Sequence, residues 1–168
     1  MLGLQPQDLV LAIYIVTNDD AWTFQSVSQV LGISPSQVHA AWKRLVAAKL
    51  ADSEFKRVIK KNLLEFLCHG AKYCFPAQLE GQGVGMPTSH SHSRIRQLLV
   101  GGDGEIYIWP DAQGKSKGIV LLPVHKSALQ LAKSNKNAYA ILAAVDLLRT
   151  GKPREQEAAV SVIRDFFK

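Results

Sequence analysis

The sequence predicts a mainly α protein with a small β component: an N-terminal (winged) helix-turn-helix, then a C-terminal mixed domain ending in an antiparallel helix pair. Three observations carry this. Residues Trp22 to Ala51 read as two short helices around a tight turn. Between Gly70 and Val124 glycine and proline become frequent, and short β-leaning runs appear. From Ser127 onward helical periodicity returns, broken once at Gly151-Lys152-Pro153. The 168 residues, 47% of them hydrophobic, suffice for one domain or two small ones. The division expected is 1–70 for the front unit and 71–168 for the rear one.

The first helix is expected from Pro6 to about Thr17, started by Gln5-Pro6-Gln7-Asp8 and stopped by Asn18-Asp19-Asp20. Leu9, Val10, Leu11, Ile13, Tyr14, Ile15 and Val16 make it apolar on most of its circumference. Such a helix is expected to be covered on two sides, by its own domain and by another subunit. The run Leu9–Val16 is too short for a membrane span and lacks the basic flank of a signal peptide. Thr23 is expected to cap the second helix.

The turn that follows is Gly32-Ile33-Ser34-Pro35. Gly supplies a left-handed stop, Ser34 a cap for the next helix, and Pro35 suits its first turn. Over residues 35–48, Val38, Ala41, Trp42 and Leu45 recur at helical spacing and face inward. Ser36, Gln37, His39, Ala40, Lys43 and Arg44 take the opposite face. A helix held by an apolar back, presenting small polar and basic side chains, meets the physical specification of a DNA recognition helix. The competing reading is an αα-hairpin that only packs.

The segment resembles the helix-turn-helix of MarR-like and related bacterial winged-helix repressors, through Leu31, Gly32, Ile33, Ser34, Val38, Leu45 and Leu50. The resemblance covers about residues 6 to 52. It implies base contacts from Ser36, Gln37 and His39, with Lys43 and Arg44 orienting the helix. Two positions depart from the pattern. Lys49 stands where that family usually has Gly, so either a non-Gly residue adopts a strained conformation or the chain turns differently. Ala40 occupies a place where a base-reading side chain is common. The stretches Leu63–Pro76 and Val145–Glu155 also look similar to bacterial regulators with a helix-turn-helix in front and a mixed domain behind; no functional residue carries over from them.

After Ala51-Asp52-Ser53 a long helix is expected from Glu54 to about His69, with Phe55, Ile59, Leu63, Phe66 and Leu67 as its apolar stripe. A winged fold needs a hairpin directly after its third helix, and nothing between Leu50 and Glu54 is long enough for one. Either the wing is lost or displaced, or the long helix is partly strand. On a helix, Lys56 with Lys60 and Arg57 with Lys61 are i,i+4 pairs opposite the apolar stripe, placed to grip phosphates or simply to face solvent.

Within the Gly- and Pro-rich region, β-leaning runs occur at 73–75, 105–109 and 118–122, the last two expected to pair as a hairpin across Pro110–Lys117. Gly101-Gly102-Asp103-Gly104 reads as a turn. Pro87–Arg94 (PTSHSHSR) reads as exposed and mobile. Helices are expected at Ser127–Lys133, Ala138–Arg149 and Pro153–Phe167. Ile141, Val145 and Leu148 form one stripe; Ala158, Val162, Ile163 and Phe166 form another. The adjacent Phe166 and Phe167 point about 100° apart on a helix, so the second is a candidate contact for a partner subunit. Trp42 is expected in the core, and Trp109 as cover for the rear domain or as the wall of a ligand pocket.

Lys and Arg number 20 against 14 Asp and Glu, a net charge of +6, which favours an anionic partner. Between Ser34 and Lys72 eight cations face three carboxylates, so five of the six net charges lie on and just after the candidate reading helix. Two cysteines make no disulfide framework, which fits a cytoplasmic protein. Cys68, His69, Cys74, His90 and His92 have metal-ligating chemistry but no Cys-x-x-Cys spacing, so buried, inert cysteines are expected and no metal. Gly81-Gln82-Gly83-Val84-Gly85 resembles a phosphate loop without the Lys-Ser or Lys-Thr that closes one, and reads as a hairpin tip. No nucleophile elbow, paired-carboxylate motif or His-Glu-x-x-His occurs, so neither enzyme activity nor a cofactor is expected.

The expectation that follows is a homodimeric, DNA-binding transcription regulator acting as a repressor, with double-stranded DNA and a second copy of itself as partners. A small-molecule or protein effector would act at the C-terminal domain, and no membrane is involved. Its contact residues would be Ser36, Gln37, His39, Lys43, Arg44, Lys56, Arg57, Lys60 and Lys61. The alternative is a protein-interaction adaptor or antitoxin-like module on the same scaffold.

Overall fold

The computed structural model describes residues 3–101 and 104–168; Gly102 and Asp103 of the expected turn lie outside them. Helix α1 (Pro6–Thr17) begins with a reciprocal cap, in which the Asp8 carboxylate accepts the Gln5 amide at 2.8 Å. Helix α2 (Phe24–Leu31) carries the same device between Thr23 and Ser26, and ends on Gly32 at φ 65°. Helix α3 (Pro35–Ala47) starts with Ser34 accepting from the Gln37 amide and the Gln37 side chain accepting from Ser34. All three starts and the turn agree with the sequence reading.

Helix α3 ends on Lys49 at φ 61°. The Lys49 amide donates to Val46 and the Leu50 amide reaches back to Leu45, the paired bonds of a left-handed helix stop. Lysine therefore occupies the conformation glycine adopts without strain. The Asn62 side-chain amide donates to the Lys49 carbonyl at 2.7 Å and ties the stop to the next helix.

The expected helix from Glu54 is corrected here. Strands β1 (Ala51–Asp52) and β2 (Arg57–Val58) form an antiparallel hairpin, extended by the Ile59 amide donating to Leu50. Asp52 Oδ1 accepts the Glu54 amide at 2.9 Å and Lys56 sits at φ 48°, so an Asx turn and a left-handed residue close a four-residue loop. Helix then runs through α4 (Lys60–Glu65), a π-helical turn (Phe66–Gly70) and α5 (Ala71–Cys74). The expected β-run at 73–75 is thus mostly helix. A winged helix-turn-helix stands at the front of the chain, with a short wing.

The β component behind it is a closed three-stranded sheet of β3 (Leu79–Pro87), β4 (Tyr107–Pro110) and β5 (Ser116–Leu121). Strand β3 pairs antiparallel with both others, so β4 and β5 run parallel to each other, not as the expected hairpin. The expected hairpin tip at Gly81–Gly85 lies within β3. Glycines serve close approach here: a Cβ on Gly85 of β3 would overlap the Trp109 carbonyl, and one on Gly118 of β5 the Ile106 carbonyl. Ile108 and Val120 fill the space over Gly83 and Gly85.

Helices α6 (Ser93–Arg96), α7 (Ser127–Ser134), α8 (Lys136–Thr150) and α9 (Pro153–Phe166) complete the fold, with α8 and α9 as the antiparallel pair. Helix α8 is buried on nearly every side. One apolar cluster runs from Leu9 to Ile163, and α1 packs on α3, α7, α8 and β2. Residues 8 to 15 are buried within the chain, so the first helix offers no free apolar side to a second subunit. Phe166 and Phe167 stack edge to face at 5.4 Å, and both are half-buried against this core. Among the described residues no helix is long and apolar enough to cross a membrane.

Candidate nucleic-acid interface

Helix α3 is positioned by its back. Val38, Ala41, Trp42 and Leu45 are buried, and the Trp42 ring meets Trp22 edge to face at 5.0 Å. The 3.6-residue period then forces Ser36, Gln37, His39 and Lys43 outward, and all four are exposed. Ser34 and Ser36 share a hydrogen bond at 3.1 Å, while the Gln37 carbonyl oxygen is committed to the Ser34 amide. Gln37 keeps its NH2 as the group able to reach outward. The His39 ring meets Phe24 edge to face at 5.1 Å, which restricts its rotation without covering it.

Arg44 does not join this face. Its Nε and one terminal nitrogen donate to the two Asp8 oxygens at 2.8 and 2.7 Å, a bidentate pair closing α3 onto α1. Asp8 is fully buried and the Arg44 side chain is 16% exposed. The bonds to Asp8 push the guanidinium above its ordinary range. Arg44 is therefore a half-buried strut and leaves the set of candidate DNA contacts.

The basic residues after α3 do not lie on one helix. Lys56, at the hairpin turn, folds back so that Nζ lies 4.5 Å from the Trp22 ring centroid and donates to the Trp22 carbonyl at 3.1 Å. It clamps the hairpin to the α1–α2 connection. Arg57 is exposed on β2 and lies over the Phe55 ring at 4.8 Å, and that ring is itself 61% exposed. Lys60 and Lys61 are exposed in the first turn of α4, and Lys49 at the end of α3. The free cationic set is thus Lys43, Lys49, Arg57, Lys60 and Lys61, drawn from three elements. The sequence reading missed Phe55 at a hairpin tip; the Asp52-Ser53 turn pair before it was the available signal.

A second polar constellation was missed from the sequence. Asp146 on α8 is buried, and its Oδ2 accepts from Trp109 Nε1 at 2.6 Å and Thr88 Oγ1 at 2.7 Å. Its Oδ1 takes an Arg149 nitrogen at 2.6 Å, and Arg149 also donates to the carbonyls of Phe75 and Pro76. Burial raises the Asp146 carboxyl, while Arg149, Thr88 and Trp109 pull it back. Ser89, at φ 55°, bonds Thr150 at 2.9 Å, and Tyr139 donates to the Pro87 carbonyl. Trp109 is therefore covered core. The stretch expected to be exposed at Pro87–Arg94 has Thr88, Ser89 and His92 buried. His92 faces the Tyr139 ring at 4.3 Å with Nδ1 unpartnered, and burial lowers its pKa to about 4. With Asp146, Thr88, Ser89, His92 and Trp109 all buried, this cluster reads as a polar joint between α8 and the closed sheet.

The metal-ligating side chains are scattered. Cys68 is buried, which raises its thiol, while Cys74 is exposed and so departs from the expected buried pair. His90 Nε2 donates to the Glu105 carbonyl at 2.6 Å. Among the described residues no three His, Cys, Asp or Glu side chains are grouped so as to hold a metal ion. Comparison with known proteins finds no matching family model, no similar curated protein and no similar solved structure.

Proposed function

We propose that this chain is a DNA-binding transcription regulator that docks α3 in the major groove and sets the short wing and the start of α4 against the backbone. The observation that carries the reading is the exposed polar face of α3, Ser36, Gln37, His39 and Lys43, bracketed by exposed Lys49, Arg57, Lys60 and Lys61. Gln37 and His39 read base edges; the cations meet phosphates. A single recognition helix spans few base pairs, so the protein acts as a homodimer with two such helices about 34 Å apart, and represses by occlusion.

The test is anisotropy on the full chain, with DNA from its own upstream region and a scrambled duplex, across a salt series. Changing Arg57, Lys60 and Lys61 to Gln is expected to weaken both duplexes alike and to flatten the salt dependence by about one unit per phosphate contact. Gln37→Ala or His39→Ala is expected to narrow the gap between the two, a good base contact being worth about 1–3 kcal/mol. Equal affinity for both duplexes in the parent protein, with no salt dependence, sinks the proposal. The exposed Phe55 with Arg57 laid over it is the observation favouring the second reading, a protein-interaction module that uses the hairpin tip as an aromatic anchor.

A further inference from the structure

Lys56 is the basic residue of the wing that the proposed DNA contacts leave unused. Its Nζ donates to the Trp22 carbonyl at 3.1 Å, and lies 4.5 Å from the Trp22 ring centroid and 5.5 Å from that of Phe24. Phe24 in turn meets the His39 ring edge to face at 5.1 Å, on the outward face of α3. We propose that Lys56 is a positioning residue for sequence readout: acting through Phe24, it holds the His39 ring in its reading orientation and ties the wing tip to that ring. The inference rests on the DNA-binding reading above.

The wing does not hold its own tip. Its ladder is two residue pairs long, Ala51 with Val58 and Asp52 with Arg57, and a hairpin of that length is marginal without tertiary support. The buried Ala51 and Val58 anchor its base. At the tip Ser53, Glu54 and Phe55 are exposed, and the returning Lys56 side chain supplies a tertiary anchor.

His39 has the complementary need. An exposed imidazole turns broadly about its terminal torsion, whereas hydrogen bonding to a base edge requires one orientation. The Phe24 ring supplies the restraint. Phe24 is itself fixed as the first residue of α2, behind the Thr23–Ser26 cap, and by Trp22 at 5.7 Å. Trp22 packs on Trp42, in the buried back of α3. Aromatic rings thus run from the back of α3 round to its outward face, with the ammonium seated midway along the run and attracted by the ring quadrupoles. No salt bridge among the described residues draws Lys56 elsewhere. Charge alone would make Lys56 a phosphate contact. The geometry spends its Nζ on a carbonyl and two rings instead.

The test compares Lys56→Gln, Lys56→Arg and Phe24→Leu with the parent, as full chains, first without DNA and then with it. Lys56 is exposed, so its replacements are expected to fold. In NMR spectra the His39 ring resonances are expected to move in Lys56→Gln and to return toward the parent's in Lys56→Arg, since a guanidinium also rests on aromatic faces. By anisotropy, Lys56→Gln is expected to cut the affinity ratio of upstream to scrambled duplex about fivefold. Its salt dependence should match the parent's, whereas loss of a phosphate contact flattens it by about one unit. Phe24→Leu leaves Lys56 on Trp22 but removes the link to His39. It is expected to reproduce the loss of discrimination, and adding Lys56→Gln to it should cost no more. His39 resonances unmoved by Lys56→Gln, a flattened salt dependence, or additive losses in the double variant would each overturn the proposal. A parent chain that binds both duplexes alike sinks the DNA-binding reading and this role with it. A parent that discriminates while the His39 ring ignores Lys56 sinks the positioning role alone.

Discussion

Two stretches of this chain look alike as strings of residues: Ser34-Pro35-Ser36-Gln37-Val38-His39 at the start of α3, and Pro87-Thr88-Ser89-His90-Ser91-His92 after β3. In the first, every serine, the glutamine and the histidine are exposed. In the second, Thr88, Ser89 and His92 are buried. Each segment is polar enough for a surface, so composition does not separate them. The difference lies in the anchors. In the first, Val38 begins an apolar stripe that fixes which way the polar side chains turn. In the second no apolar residue follows until Ile95, and the hydroxyls meet partners on α8, Asp146 and Thr150. A buried polar segment is stable only when its groups are paired, and here a helix far along the chain supplies the pairs.

The largest expected effect tests the buried side of that comparison. Asp146→Ala removes the acceptor for Thr88, Trp109 and Arg149 at once and leaves a buried guanidinium without its counter-charge. A loss of about 3–5 kcal/mol is expected from urea unfolding. A loss below about 1 kcal/mol would show that the joint is wet or optional.

Arg44→Ala comes next. It leaves the Asp8 carboxylate buried without its cation, and about 2–3 kcal/mol of stability should be lost. Arg44→Lys should recover only part of this, because a single ammonium does not reproduce the fork on both oxygens. If the Ala variant unfolds like the parent protein but binds DNA poorly, Arg44 belongs to the interface after all.

A pH titration tests the buried His92. His92 is buried neutral, with its pKa lowered to about 4 from 6.5 by burial first and then by Arg94. A depressed folded-state value means the unfolded chain binds the proton more readily. The contribution is present in full above pH 6.5 and is lost as pH falls toward 4. The expected loss is about 2 kcal/mol between pH 7 and pH 5, read as the difference between the parent and His92→Phe in denaturant midpoints at each pH. Coincident pH profiles would mean the imidazole charges without cost.

The smallest effect on stability is expected for Lys43→Ala, one residue before Arg44 and exposed. It should stay within about 0.5 kcal/mol of the parent in unfolding, while weakening DNA in the anisotropy assay. Arg44 and Lys43 are adjacent and equally charged, so opposite outcomes would be a sharp demonstration of how burial divides a basic run into strut and contact.

Local signals made the front helices legible. Gln5-Pro6-Gln7-Asp8, Thr23, Gly32 and Ser34-Pro35 act through bonds to backbone groups three or four residues away, so the sequence alone carries their geometry. The stripe Val38, Ala41, Trp42 and Leu45 likewise follows from the helical period. The wing was not legible, because Phe55, Ile59, Leu63 and Phe66 keep a helical spacing while the Asp52 turn and Lys56 in a left-handed conformation break the helix before Lys60. Nor was the closed sheet, since three glycines in seven residues, from 79 to 85, imitate a loop until another backbone is brought against them.

The sequence by itself determined the class of fold, the first three helices with their caps and the face that α3 turns outward, because each depends on neighbours within a few residues. The tertiary structure alone decided that Arg44 would pair with Asp8, that Lys56 would lie on Trp22, and that Asp146 would gather Thr88, Trp109 and Arg149. Of those contacts all but Asp146–Arg149 join residues at least 34 positions apart, and their formation depends on packing that no local period encodes.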